Sequence, residues 1–132
     1  MADLLDRDGR GKFFLCYLAP LLLYCWLIFW LSAQSDPESI SPFPFPDKIA
    51  HLIEYAGFGF LLMRLLAARF PQGEPVTFLV WVLSGALLYG LSDEMHQYYV
   101  PGREFSWMDL LADGAGAYLG ARGWMTLKKS RS

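Results

Sequence analysis

The 132 residues carry eleven Lys and Arg against thirteen Asp and Glu, with 55% apolar and 17% aromatic side chains. The apolar residues lie in long blocks instead of recurring at amphipathic spacing, which argues against a water-soluble domain and for a single membrane domain over residues 1–132. A formal net charge of -2 without a basic stripe excludes nucleic acid as a partner.

Arg7, Arg10 and Lys12 precede a first uncharged block from Phe13 to Ala33. Its length matches the roughly 20 residues needed to cross ~30 Å of hydrocarbon. The stretch is too long, and too rich in bulky Trp26 and Trp30, for the apolar region of a cleaved signal peptide. Cys16 and Cys25 fall on this one helix, ~13 Å apart along its axis, which is too far for a disulfide.

Ser35 to Pro46 contains prolines at 37, 42, 44 and 46 together with Asp36 and Glu38. Proline lacks an amide donor and fixes its own dihedral, so this stretch reads as an extended connector that ends the first helix and starts the second. The second block, 47–68, is mostly apolar but carries Asp47, Lys48, His51 and Glu54 in its first two turns. Asp47, His51, Glu54 and Tyr55 recur at helical spacing on one stripe. Glu54 lies ~10 Å deeper than Asp47. A carboxylate at that depth has to be paired, protonated or at a wet cavity, with His51 and Lys48 as near partners on its own helix.

The third block, 76–98, is clean until Ser92-Asp93-Glu94-Met95-His96-Gln97. A Tyr98 to Arg103 connector follows, in which Pro101-Gly102 favours a turn. Tyr98, Tyr99 and Trp107 suit an interfacial aromatic belt. Arg103 can bind a carboxylate or a phosphate with two parallel hydrogen bonds. The fourth block, 106–125, opens with Asp109 and Asp113, one turn apart on one face. Gly116 and Gly120 continue that stripe and let another helix approach closely, so the aspartates are expected to face the bundle.

The expected fold is therefore all-α, a polytopic bundle of four transmembrane helices (13–33, 47–68, 76–98, 106–125). Nine of the eleven basic residues fall on one side if both termini are cytoplasmic, leaving only Lys48 and Arg103 outside. Cytoplasmic segments hold the excess of Lys and Arg, so an N-in/C-in, multi-pass protein of the cytoplasmic (inner) membrane is expected. That topology brings the polar ends of the second, third and fourth helices together at the outer surface.

Three stretches carry a family resemblance. They are Asp47-Lys48-Ile49-Ala50-His51-Leu52-Ile53-Glu54-Tyr55, then Ser92-Asp93-Glu94-Met95-His96-Gln97-Tyr98-Tyr99-Val100-Pro101-Gly102-Arg103, then Asp109-Leu110-Leu111-Ala112-Asp113-Gly114-Ala115-Gly116-Ala117-Tyr118-Leu119-Gly120. In order, they resemble the VanZ-like membrane family, with its D-K-x-x-H-x-x-x-Y segment, its E-x-x-Q segment followed by P-G-R, and its D-x-x-x-N/D segment with glycines. The resemblance covers residues 15–123. It implies site positions at Asp47, Lys48, His51, Tyr55, Glu94, Gln97, Arg103, Asp109 and Asp113, the last being Asn in many members. The family is named for a protein linked to resistance against the glycopeptide teicoplanin, and the resemblance supplies no established reaction.

Two functions follow as expectations. In the first, the cluster binds a lipid headgroup, lipid-linked envelope precursor or glycopeptide, with Asp47, Lys48, Tyr55, Gln97, Arg103 and Asp113 as binding residues. In the second, the protein is an enzyme acting on a phosphate- or carbohydrate-bearing lipid. Lys48 and Arg103 then hold the anion, His51 is general base or nucleophile, and Glu94 or Asp109 orients it or serves as acid. A metal set of His51, His96, Asp93 and Asp109 or Asp113 finds no supporting His or Cys spacing, so no cofactor is expected. The sequence is silent on oligomeric state.

Overall fold

The computed structural model describes the backbone of residues 2–34 and 46–131, and side chains over 8–34 and 47–131. Among the described residues all regular structure is helical. The first rod consists of α1 (Ala2–Phe13), a π-helical turn (Phe14–Leu18) and α2 (Ala19–Ser32), and its backbone stays in the helical region across both junctions. It is followed by α3 (Pro46–Arg69), α4 (Pro75–Tyr98) and α5 (Trp107–Ser130). The proline-rich connector expected over 35–46 lies outside the described residues apart from Pro46. That proline begins α3 as its fixed dihedral and missing N–H favour.

The π-turn has a local cause. In an α-helix the carbonyl of Cys16 would accept from the amide of residue 20, but residue 20 is Pro, which has no amide hydrogen and whose ring crowds that carbonyl. The helix widens there, and Arg64 of α3 donates from Nη1 to the Cys16 carbonyl at 2.6 Å. The same guanidinium lies over the Tyr17 ring, 4.4 Å from its centroid.

Asp8–Ser32, Asp47–Arg69 and Pro75–Tyr98 are long and apolar enough to cross a membrane. The chain is accordingly a membrane protein with several apolar helices, and these carry exposed Leu15, Trp26, Ile53 and Leu88 on their outer faces. The 24-residue α5 is equally long but less apolar, because Asp109, Asp113, Arg122, Lys128 and Lys129 lie within it. Its buried face is built from Asp109, Asp113, Gly116, Ala117 and Ala121, small or polar side chains that meet protein instead of lipid.

Helix α3 is central and touches α2, the π-turn, α4 and α5. Its contact with α5 is a close approach of two backbones. A Cβ on Gly116 or Gly120 would run into the Leu52 or Ala56 carbonyl, and one on Gly59 into the carbonyl of Ala117. Small residues are what permit that distance between membrane helices. Around this seam Tyr55, Phe58 and Met63 of α3 pack with Val82 and Ala86 of α4 and with Ile28 of α2.

The α4–α5 connector is a tight turn. The Arg103 amide donates to the Val100 carbonyl at 3.1 Å, with Pro101 and Gly102 as the central pair and Gly102 at φ +83°. Proline followed by a positive-φ glycine is the arrangement of a type II turn. It returns Arg103 towards α3.

Candidate functional site

The N-terminal end of α3, the C-terminal end of α4 and the N-terminal end of α5 meet at one end of the bundle, and His51 stands at their junction. His51, Glu94, Gln97, Asp109 and Asp113 are each at most 2% exposed. Three stretches far apart in sequence thus supply one buried polar cluster.

His51 Nδ1 lies 2.8 Å from Asp113 Oδ1. A carboxylate can only accept, so Nδ1 carries hydrogen and donates. In the neutral ring this leaves the lone pair on Nε2, which faces the Gln97 amide nitrogen at 3.5 Å, Glu94 Oε1 at 3.7 Å and Asp109 Oδ2 at 3.9 Å. Gly90 makes room for Asp113 on the α4 side, since a Cβ there would collide with Asp113 Oδ2.

Ser106 sets the other half of the cluster. Its hydroxyl caps α5 by accepting from the Asp109 amide at 3.2 Å, which satisfies one of the unbonded donors of the first turn. Its own backbone N–H donates to Glu94 Oε2 at 2.8 Å, tying the end of α4 to the start of α5. Glu94 Oε1 is left buried without a hydrogen-bond partner, as are Asp113 Oδ2 and the Gln97 carbonyl oxygen.

The two basic residues of this end are both paired. Arg103 Nη2 lies 3.0 Å from Asp47 Oδ1, and Lys48 Nζ lies 3.2 Å from Asp109 Oδ1 as an ion pair without hydrogen-bond alignment. They flank a polar cavity of about 390 Å³ lined also by Phe105 and Ser106. Asp47 and Arg103 form a wall shared with a second cavity of about 230 Å³ that reaches Ser32, His51, Glu54 and Gln97. Glu54 therefore faces a cavity, while Lys48, expected as its near partner, turns to α5.

Two expected members stand apart. Tyr55 is fully buried one turn below His51, its ring 6.4 Å from the imidazole and packed with Phe58 and Tyr89, so it floors the cluster without lining either cavity. His96 turns to α2, where its ring stacks on Phe29 at 4.4 Å. Of the metal set weighed from sequence, His96 is therefore committed elsewhere. The carboxylates nearest His51 include Asp47, Glu94, Asp109 and Asp113.

Sequence reasoning passed over Ser106 and Gly90. A serine three residues ahead of an acidic residue at the head of an apolar run is a capping signal, so Ser106 was legible. Gly90 lies in an apolar run and gives no signal of its own.

A model of the VanZ/LLP1 family matches residues 14–128. No curated protein and no solved structure matches the chain. The family match takes in the first rod from Phe14 onward, α3, α4, nearly all of α5 and every residue of the polar cluster, and the chain belongs to the VanZ-like family.

Proposed function

We propose that the chain crosses the cytoplasmic membrane four times with both termini inside, and that its polar end, facing outward, binds the phosphate-bearing headgroup of a lipid or lipid-linked envelope precursor. The basic residues support this orientation. Nine of eleven lie on segments at the end away from the cluster, where a cytoplasmic face collects them. Helix α5 supplies the fourth crossing, its polar face covered by protein and its other face carrying exposed Leu111 and Leu119.

The observation that carries the binding reading is the position of the remaining two basic residues. Lys48 and Arg103 line one cavity, and each is held in place by a single carboxylate. An entering phosphate meets two prepositioned cations, and the guanidinium can offer it two parallel hydrogen bonds. Asp47 and Asp109 set those cations, and Gln97 and Asp113 hold His51 on the neighbouring cavity, across the wall formed by Asp47 and Arg103. By the family resemblance, occupation of this site also bears on susceptibility to glycopeptides such as teicoplanin.

The test uses the protein in phosphatidylcholine nanodiscs, titrated with a polyprenyl phosphate and with the matching neutral polyprenol. The phosphate is expected to bind at least about tenfold tighter, and Arg103→Gln or Lys48→Met to remove that preference. Equal affinity for alcohol and phosphate overturns the reading. For orientation, in a variant with Cys16 and Cys25 replaced by Ser, a single cysteine at Gly102 should react with an impermeant maleimide on intact cells and one at Lys129 should not.

The Asp113–His51 hydrogen bond favours one second reading, acid–base chemistry on the same headgroup. An imidazole oriented through Nδ1 presents Nε2 as a general base, with Glu94 or Asp109 across from it as acid. His51→Gln would then abolish turnover of the polyprenyl phosphate while leaving its binding intact.

A further inference from the structure

Around His51 stand four carboxylates, Asp47, Glu94, Asp109 and Asp113, and two permanent cations, Lys48 and Arg103. With the imidazole neutral, carboxylates outnumber the cations, and Glu54 on the cavity that His51 lines and the buried Asp93 add to that excess. Buried charge has to be balanced, by protons or by a cation. We propose that His51 Nε2 and the carboxylates of Asp47, Asp109 and Glu94 form a binding site for one divalent transition cation of the Zn²⁺ or Mn²⁺ class.

Geometry supports it first. Ligand atoms of Asp47, His51 and Asp109 all lie within 4.8 Å of one another, and Glu94 Oε1 is 3.7 Å from His51 Nε2. Oxygen and nitrogen donors sit ~2.0–2.2 Å from zinc, so neighbouring donors of a tetrahedral ion are roughly 3.3–3.5 Å apart. The Glu94 and Asp109 oxygens, 3.7 and 3.9 Å from His51 Nε2, already lie close to that spacing.

An independent observation comes from Glu94. Its side chain is fully buried, and the Ser106 amide fixes Oε2. Its other oxygen is aimed at His51 Nε2 with no hydrogen-bond partner. A buried carboxylate oxygen held in that state calls for a missing partner. Asp113 supplies the complementary feature on the far side of the ring. A carboxylate on Nδ1 that turns the Nε2 lone pair inward is the support found behind metal-bound histidines.

Asp109 divides its oxygens in the same sense, Oδ1 to Lys48 and Oδ2 towards His51. An imidazole among carboxylates suits Zn²⁺ or Mn²⁺ better than Mg²⁺ or Ca²⁺, which take oxygen donors alone. This site rests on the chain's own donors and stands whether or not a phosphate headgroup binds. It does conflict with His51 as a general base, because a ligated Nε2 has no lone pair left to accept a proton.

The experiment takes tag-free protein in phosphatidylcholine nanodiscs, strips it with EDTA and titrates it with Mn²⁺ or Zn²⁺ alone. About one equivalent is expected, and the electron-spin-echo spectrum of bound Mn²⁺ should show coupling to one imidazole nitrogen. The chain has only two histidines, so His96→Gln is an internal control that should preserve both stoichiometry and coupling. His51→Gln should remove the coupling, and Asp109→Asn and Glu94→Gln should each weaken binding by roughly tenfold or more. Folded wild-type protein that takes up no stoichiometric ion overturns the proposal without reference to any variant. Coupling that disappears with His96 instead of His51 overturns it too.

Discussion

Asp113 Oδ1 accepts a hydrogen bond from His51 Nδ1 at 2.8 Å, joining α5 to α3 where both side chains are almost completely buried. The bond locks the ring plane and decides which imidazole nitrogen faces the other carboxylates. Asp113→Ala leaves a buried N–H without an acceptor, and a loss of about 1–3 kcal/mol of stability is expected. Asn keeps a carbonyl oxygen at the same reach, so Asp113→Asn should lose about 1 kcal/mol or less. Unfolding in mixed micelles measures both. If Asn proves as damaging as Ala, the charge of Asp113 matters more than its capacity to accept.

The same reasoning applies at the other end of the bundle, to Pro20 and Arg64. Arg64→Ala removes the donor to the Cys16 carbonyl, which Pro20 has already deprived of its helical partner. Leaving that backbone acceptor without a partner is expected to cost about 1–3 kcal/mol. Pro20→Ala restores an amide hydrogen at residue 20 and lets an ordinary helical turn form. In that background Arg64→Ala should cost about 1 kcal/mol less or better, a coupling read from a double-mutant cycle. Additive effects would show that the two residues do not share the Cys16 carbonyl.

Much of this architecture was legible in the sequence because it rests on length and periodicity. Uncharged blocks bounded by proline place the helices, as Pro46 and Pro75 do at the starts of α3 and α4. The i, i+4 spacing of Asp109 and Asp113, continued by Gly116 and Gly120, indicates a face turned to protein, and that face packs on α3 and α4. Partner choice was not legible, because it depends on helix rotation and register. Lys48 pairs with Asp109 across α5 instead of with Glu54 on its own helix. His96, one turn from the buried Asp93, stacks on Phe29 instead of joining His51. The π-turn was hidden for a similar reason: Pro20 signals a missing bond, but only the fold brings Arg64 to fill it.

The Asp47–Arg103 pair should be strongly cooperative. Both side chains are largely shielded, at 18% and 9% exposure, so removing one leaves the other charged and poorly hydrated. Arg103→Gln or Asp47→Asn alone is expected to cost about 3 kcal/mol, near the lower end for breaking a buried pair. The double variant should be less destabilised than the two single losses combined, by about 1–3 kcal/mol. Denaturation of the four proteins in one detergent checks this. Strict additivity would mean that other groups already balance each charge separately.

The α3–α5 seam gives the sharpest steric prediction, because glycines on one helix differ in what faces them. At Gly120 an added Cβ meets the Ala56 carbonyl, which belongs to a helix backbone and cannot rotate away. Gly120→Ala must therefore push α3 and α5 apart, also straining the contact of Gly116 with Leu52 and loosening the joint that holds His51 to Asp113. A loss of about 1–3 kcal/mol is expected for the methyl, and Gly120→Leu should abolish recovery of folded protein. Gly123, three residues on, has nothing within 4 Å of an added Cβ. There alanine removes the conformational freedom of glycine in a helix and should raise stability by about 0.5–1 kcal/mol. Thermal unfolding of the two alanine variants in the same nanodiscs should give shifts of opposite sign. Two shifts of the same sign would mean that the helices are not seated against each other at Ala56.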